Sequence, residues 1–340
     1  MVNLHVSIHG IPVTFLTSSE LIACPIQKFL EYFSRQPTHD TDALTITFHE
    51  VSRREEIPFI PTASFQKLFS RKGRALGDQL RTEWECSILR HEHRLIADFH
   101  GQGLLVIDEL HECAEGYIIR PETLHSDLRV GFFHFVLAEL LKRRGLFTLH
   151  ATSLEKNGRG ILIPGYSGRG KTTAFLSLLR SGYRCLSDDH PLLRETIHGL
   201  EILPLPVKVD VTEPTIAMFP ELRDAPEGLL RQGVRKRFFY VEDLYPGGTG
   251  ESCEPSIMIF PHVVDSEKSW VEPLSKRQAL EDLLPHGLLV YNEHVARQEF
   301  QMLSKLVQRV DCYRLHSGRD VLELPKLIEP LLEEEVFVGC

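Results

Sequence analysis

The chain has 340 residues, 42% of them hydrophobic and 25% charged, an ordinary globular composition. That length has room for about two domains and needs no disulfide or metal staple to fold. Its 38 Lys and Arg against 47 Asp and Glu leave a formal charge of −9. This argues against a nucleic-acid or membrane-surface binder, because both need a basic footprint. The cysteines, Cys24, Cys86, Cys113, Cys185, Cys253, Cys312 and Cys340, are scattered without a C-x-x-C pair, so free thiols in a reducing compartment are expected, not a disulfide framework or a zinc site. There is neither a basic-then-apolar leader nor an apolar run of about 18 residues, so the expectation is a cytoplasmic protein without membrane spans.

The first hundred residues read as a β-rich α+β region. Alternation predicts strands at Leu4–Ile8, Pro12–Leu16 and Leu44–Phe48, and Ile26, Phe29, Leu30 and Phe33 share one helix face. The polar, Arg-rich stretch Phe69–Arg81 reads as a loop or an exposed helix. Further strands are expected at Trp84–Leu89, Arg94–Phe99 and Gly103–Leu110. His91-Glu92-His93 lacks the H-E-x-x-H spacing that puts two metal ligands on one helix face, and reads as surface strand.

The pattern then changes. Leu128–Arg144 carries Val130, Phe133, Leu137, Leu140 and Leu141 at helical spacing, with Ser126 or Asp127 as cap and Gly145 as stop. Lys142-Arg143-Arg144 falls in the last turn, where cations suit the helix dipole. Next come a strand Phe147–Leu154 with His150 in its middle, a turn at Asn157-Gly158 and a strand Gly160–Pro164. After a Gly-rich turn come a helix Lys171–Leu179, stopped by Ser181-Gly182, and a strand Arg184–Ser187 that runs into Asp188-Asp189. Strand–loop–helix–strand is the order of an α/β nucleotide-binding core. Proline-broken apolar runs at Glu201–Leu205, Val207–Val211 and Ile257–Phe260 predict a mixed sheet with long loops. Helices over Glu293–Leu306 and Asp320–Glu334 close the chain, the latter bent near Pro325 and Pro330.

One segment carries chemistry. Gly165-Tyr166-Ser167-Gly168-Arg169-Gly170-Lys171-Thr172-Thr173 fits G-x-x-x-x-G-K-[ST]. Glycines let the backbone curl so that successive N–H groups face phosphate oxygens, and the helix N-terminus at Lys171 adds its positive dipole end. Lys171 is placed to reach the β- and γ-phosphates and Thr172 to ligate Mg²⁺. Asp188-Asp189, at the end of the next strand, stands where α/β sheets keep their chemistry. One carboxylate can hold magnesium and the other accept a proton, and repulsion between them raises one pKa. His150 taken by itself reads as a hydrogen-bonded strand residue.

The run from Leu146 to about Leu193 resembles the catalytic core of the HPr kinase/phosphorylase family. That family has a strand His, a G-x-S-G-x-G-K-[ST] loop, a Gly-terminated helix and a strand ending in Asp-Asp. Here these are His150, Gly165–Thr172, Gly182 and Asp188-Asp189, in the same order. The chain also looks like stand-alone relatives in peptide-modification clusters, some of which phosphorylate a serine of a precursor peptide, and its core is similar to that of PEP carboxykinase. The resemblance implies an α/β P-loop core of this type over 124–340, with the α+β region 1–123 as an extension. It implies ATP and Mg²⁺ as ligands, with Gly165, Ser167, Gly168, Arg169, Gly170, Lys171, Thr172 and Thr173 around the nucleotide. It further implies Thr172 on the metal, Asp188 supporting the metal or the base, Asp189 as general base, and His150 orienting the acceptor or a phosphate, with Asp189, Asp188, His150 and Lys171 as the catalytic set.

The family's second metal carboxylate has two candidates, Glu201 and Glu213. Its catalytic arginine has only the cluster Arg235-Lys236-Arg237, after Gly233, which reads equally well as a solvated turn. The function expected is transfer of a phosphoryl group from ATP to a serine-type hydroxyl of a peptide or protein. The alternatives are a small-molecule hydroxyl as acceptor, or an ATP-binding regulatory module without chemistry. Absence of N-K-x-D, of L-S-G-G-Q, and of H-R-D with D-F-G speaks against GTPases, ABC proteins and eukaryotic-type kinases. For the N-terminal region, acceptor recognition and self-association into a homo-oligomer are both left open.

Overall fold

A computed structural model describes residues 1–35, 42–76, 83–166, 168–205, 208–231, 234–288 and 291–333. Ser167, Val207, Gly233, Glu334 and the end of the Phe69–Arg81 stretch lie outside the described residues. The protein is mixed α/β and divides into two units, Met1–Gly145 with Leu229–Arg235, and Leu146–Gly228 with Lys236–Cys340. The helix Ser126–Arg143, which sequence order groups with the later part of the chain, falls in the first unit. Among the described residues no helix is long and apolar enough to cross a membrane.

The first unit is built on a mixed sheet. From Gln66–Leu76 the order runs through Glu83–His91, Arg94–Phe99, Gly103–Asp108, Cys113–Ile119, Leu44–Val51, Ile11–Thr17 and Val2–Ile8 to Ser34–Arg35. Pairing is antiparallel from Gln66–Leu76 as far as Cys113–Ile119, whereas Leu44–Val51 is parallel to both of its neighbours. The returning segment pairs Leu230 with Leu76 and Arg231 with Ala75. The strand 44–51 alternates as its sequence predicts, whereas in 11–17 Thr14 is buried along with Val13 and Phe15; Val13, Phe15, Leu44, Ile46 and Phe48 leave water together. The rings of Phe15 and Phe29 lie 5.5 and 5.9 Å from that of Phe133, on the helix Ser126–Arg143.

Two expectations for this part need correction. Gln66–Leu76 is a strand, neither loop nor helix, because the ladder to Glu83–His91 satisfies its backbone whatever its polarity. The cap of Ser126–Arg143 is His125, whose Nδ1 accepts the Asp127 N–H at 3.2 Å, rather than Ser126 or Asp127.

In the second unit the central sheet has the order Arg184–Ser187, Ala151–Lys156, Arg159–Pro164, Glu254–Val263, Asp311–Ser317, Trp270–Pro273. Arg159–Pro164, Glu254–Val263 and Asp311–Ser317 are parallel neighbours. Ala151–Lys156 is antiparallel to both Arg159–Pro164 and Arg184–Ser187, so those two also point the same way. Four strands therefore end at one edge, and Ala151–Lys156 begins there.

Both faces of this sheet are buried. Ile161, Ile163, Ile257 and Ile259 pack on one side with Phe175, Leu178 and Leu179 of the helix Lys171–Arg180. Leu162, Met258 and Phe260 pack on the other with Leu283, Leu303 and Leu306 of the helices Lys276–Gly287 and Glu293–Arg309. This explains why the strands read as near-continuous apolar runs. A smaller antiparallel sheet pairs Leu146–Thr148 with Leu192–Thr196, and that with Gly199–Leu203. The expected strand Phe147–Leu154 is thus two strands in different sheets. His150 sits in the break between them, not mid-strand. The last helical region is a 3₁₀ turn, Val321–Glu323, and then the helix Leu324–Glu333.

Candidate active site

Strand direction assembles the site. The glycine loop leaves the C-terminal end of Arg159–Pro164, and Asp188-Asp189 leaves the same end of Arg184–Ser187. His150 stands at the entry to the antiparallel strand between them. Gly168 and Gly170 adopt φ of 82° and 96°, a region open chiefly to glycine. A Cβ on Gly170 would also lie 3.2 Å from Val263 Cγ2. The loop thereby delivers the N-terminus of the helix Lys171–Arg180 with its first N–H groups unpaired within the helix.

Lys171 is only 9% exposed. Its Nζ donates to the Gly165 carbonyl and lies 3.5 Å from His150 Nε2. Burial holds its pKa below the ordinary lysine value, and Asp189 and Asp188 oppose that shift. Thr172 and Thr173 come next in the first helical turn. Arg169 sits 3.3 Å from His262 Nδ1.

The acid pair is fixed through its backbone. Thr152 Oγ1 donates to the Asp188 carbonyl at 2.6 Å, the Ala151 N–H to the Asp189 carbonyl at 3.1 Å, and the His190 N–H to Ser187 Oγ at 3.1 Å. The two carboxylates then diverge. Asp188 Oδ1 is buried with no hydrogen-bond partner among the described residues. Burial, then Asp189 and Asp210, raise the Asp188 carboxyl to about 7, against the pull of Lys171 and Lys236. Asp189 is 43% exposed at its side chain, 3.1 Å from His150 Nε2 and 3.3 Å from His190 Nε2. Burial pushes its pKa up, but His190, the His150 hydrogen bond and Lys171 overcome this and hold it well below the usual carboxylate range. One member of the pair is raised, Asp188, by burial first and by repulsion from Asp189 second. Asp189 therefore has no raised pKa; it presents an ionised, accessible carboxylate.

The fold brings in residues that the sequence reading does not single out. The His150 N–H donates to the His286 carbonyl at 2.8 Å, and the His286 ring lies 4.4 Å from that of Tyr166. Burial, then His150 and Lys171, lower the His286 pKa to about 4. His286 comes from the helix Lys276–Gly287, far away in sequence, and no local pattern marks it. His190 could have been found as the neighbour of the acid pair, and Asp210 as the acid inside the Val209–Thr212 strand. Glu201 and Glu213, the candidates for a second metal carboxylate, are each held by arginine, Glu201 by Arg194 at 2.7 Å and Glu213 by Arg237 at 2.8 Å. Of the basic cluster, Arg237 is taken by Glu213 and the carbonyls of Arg223 and Ala225, whereas Lys236 acts electrostatically on Lys171 and Asp188.

No protein-family model matches the chain, and no curated protein matches it. Among solved structures it is similar to the HPr(Ser) kinase/phosphatase from Coxiella burnetii, at 20% identity and a TM-score of 0.28. That match covers 54% of this chain and 92% of the other. A likeness this weak carries no activity over to this chain.

Proposed function

We propose that the chain is an ATP-dependent kinase that transfers the γ-phosphoryl group to a serine-type hydroxyl of a peptide or protein. One observation carries this reading: Lys171, His150 and Asp189 form a chain with steps of 3.5 and 3.1 Å beside the glycine loop. A nucleotide-binding scaffold needs the loop and the lysine alone. An ionised, accessible carboxylate held beside that lysine by two histidines is what an acceptor hydroxyl needs in addition.

On this reading the N–H groups at the start of the helix and Lys171 hold the β- and γ-phosphates. Thr172 and Asp188 are the residues to hold magnesium, and the buried, partnerless Asp188 oxygen suits a cation. Magnesium, when bound, neutralises and orients phosphate oxygens. The acceptor oxygen forms its bond to the γ-phosphorus while the bond to the bridging oxygen breaks and ADP departs. Asp189 takes the hydroxyl proton, and His150 orients the carboxylate. Because phosphoryl transfer passes through a loose transition state, the nucleophile needs little activation, and a weakly basic carboxylate suffices.

The test incubates the full chain with ATP, magnesium and serine-containing peptides, and reads phosphoryl gain by mass spectrometry. Transfer that disappears in Asp189→Asn is the expected result. Normal transfer by Asp189→Asn overturns the base assignment. Nucleotide binding with no transfer to any peptide or small-molecule hydroxyl overturns the kinase reading, and transfer to small molecules alone overturns the acceptor class.

A further inference from the structure

The first unit carries a cluster that phosphoryl transfer does not use. His93 lies in the turn between Glu83–His91 and Arg94–Phe99. Asp108 ends the strand Gly103–Asp108, His111 lies in the next turn, and Cys113 opens Cys113–Ile119. Antiparallel pairing brings both turns to the same edge of the sheet. His93, Asp108 and His111 each offer one ligand atom, all within 4.8 Å of one another. Asp108 is the hub: its Oδ2 is 3.2 Å from His93 Nε2 and its Oδ1 is 3.0 Å from His111 Nδ1. Cys113 is directly opposite Asp108 in the ladder, so the two side chains leave the same face of the sheet.

We propose that His93, Asp108, His111 and Cys113 form a zinc site that clamps the two hairpin turns together. Two imidazoles, a carboxylate and a thiol are the donor types zinc selects, and four is its usual structural count. Tetrahedral zinc with bonds of about 2.0–2.1 Å holds its N and O ligand atoms about 3.3 Å apart, close to the 3.2 Å between Asp108 Oδ2 and His93 Nε2. The histidines must draw together, and His111, 67% exposed at its side chain on a turn, has room to do so.

Two features oppose a cation. Asp108 Oδ1 already accepts the backbone N–H groups of Leu110 and His111, at 3.1 and 3.0 Å, which take both of its lone pairs, so zinc must bind through Oδ2. Arg94 Nε lies 3.7 Å from Oδ2, but its guanidinium also rests over the Phe59 ring at 5.4 Å, a position it can keep when it yields the oxygen. A purely hydrogen-bonded turn would account for Asp108 with either histidine. It does not require both imidazoles to converge on the same carboxylate; Cys113, opposite Asp108 in the ladder, must turn its thiol in to join them.

The site is independent of the kinase reading, and its test is too. The full chain, stripped of metal with a chelator, is titrated with zinc against a chromophoric competitor, and separately with cobalt. One zinc per chain is expected, together with a tetrahedral cobalt spectrum that includes a thiolate charge-transfer band. His93→Gln and His111→Gln, both in turns, should each weaken zinc at least tenfold and abolish its effect on Tm, with unchanged circular dichroism. Cys113→Ser should remove the charge-transfer band and also weaken zinc. Asp188→Asn should leave zinc affinity unchanged, which separates this site from the glycine loop. Equal zinc affinity in wild type and the His93→Gln/His111→Gln double variant overturns the site. A cobalt spectrum without the thiolate band removes Cys113 from it.

Discussion

The two units offer contrasting examples of buried carboxylates, although Glu155 of the second is paired, with Arg184. In the first, Asp98 receives both guanidinium nitrogens of Arg54 at 2.8 and 2.6 Å, Glu109 receives Arg90 and Arg143, and Glu139 holds the buried Lys142 at 3.0 Å. In the second, Asp188 keeps an oxygen buried and unpartnered, next to an aspartate of opposite titration behaviour and a desolvated lysine. Paired charges hold a fold in register. Unpaired ones hold free energy in reserve for a ligand. The first pattern reads as architecture and the second as a site.

Substitutions can break that contrast. Asp189→Asn should lower kcat for phosphoryl transfer by about 10²–10⁴-fold with little change in nucleotide affinity, read by steady-state assay and nucleotide titration. Lys171→Ala should cost about 10²–10³-fold and also weaken nucleotide binding, because the lost charge serves ground and transition states alike. In the first unit the reverse is expected. Arg54→Ala, which leaves Asp98 buried and uncompensated, should cost about 3 kcal/mol of unfolding free energy in urea while transfer by the folded protein stays normal. Loss of transfer without loss of stability in Arg54→Ala would erase the distinction between the units.

Two smaller effects sharpen it. His286 is neutral in the fold, its pKa lowered to about 4, and protonates near 6.5 when unfolded. The unfolded chain therefore binds more protons between these values. The His286 contribution is fully present above pH 6.5 and is lost as pH falls toward 4. Wild type should lose about 2–3 kcal/mol more than His286→Gln between pH 7 and pH 4, measured by denaturant titration at each pH. Equal slopes would show that His286 is not buried neutral. Gly170→Ala should destabilise by about 1–2 kcal/mol in a denaturant titration, since alanine tolerates φ of 96° poorly, and should distort the glycine loop.

Much of the second unit was legible in the sequence. The loop glycines, Lys171 and the helix start are recognisable because backbone curl, charge and dipole must come in one contiguous run. The strand Arg184–Ser187 and its acid pair are legible for the same reason of local order. The break at His150 was not, since a continuous apolar stretch does not say that its halves join different sheets. Nor was the strand Gln66–Leu76, whose polar residues are held by a ladder rather than by a core.

The sequence by itself determined the glycine loop, the acid pair and their order along the chain, because each depends on neighbours within a few residues. Tertiary structure decided which acid is raised and which is depressed, since burial and the approach of His190, His150, Lys171, Lys236 and Asp210 set that balance. It decided that His286 closes on His150, and that His93 and His111 share Asp108, because strand direction and hairpin pairing bring together residues that local sequence keeps apart.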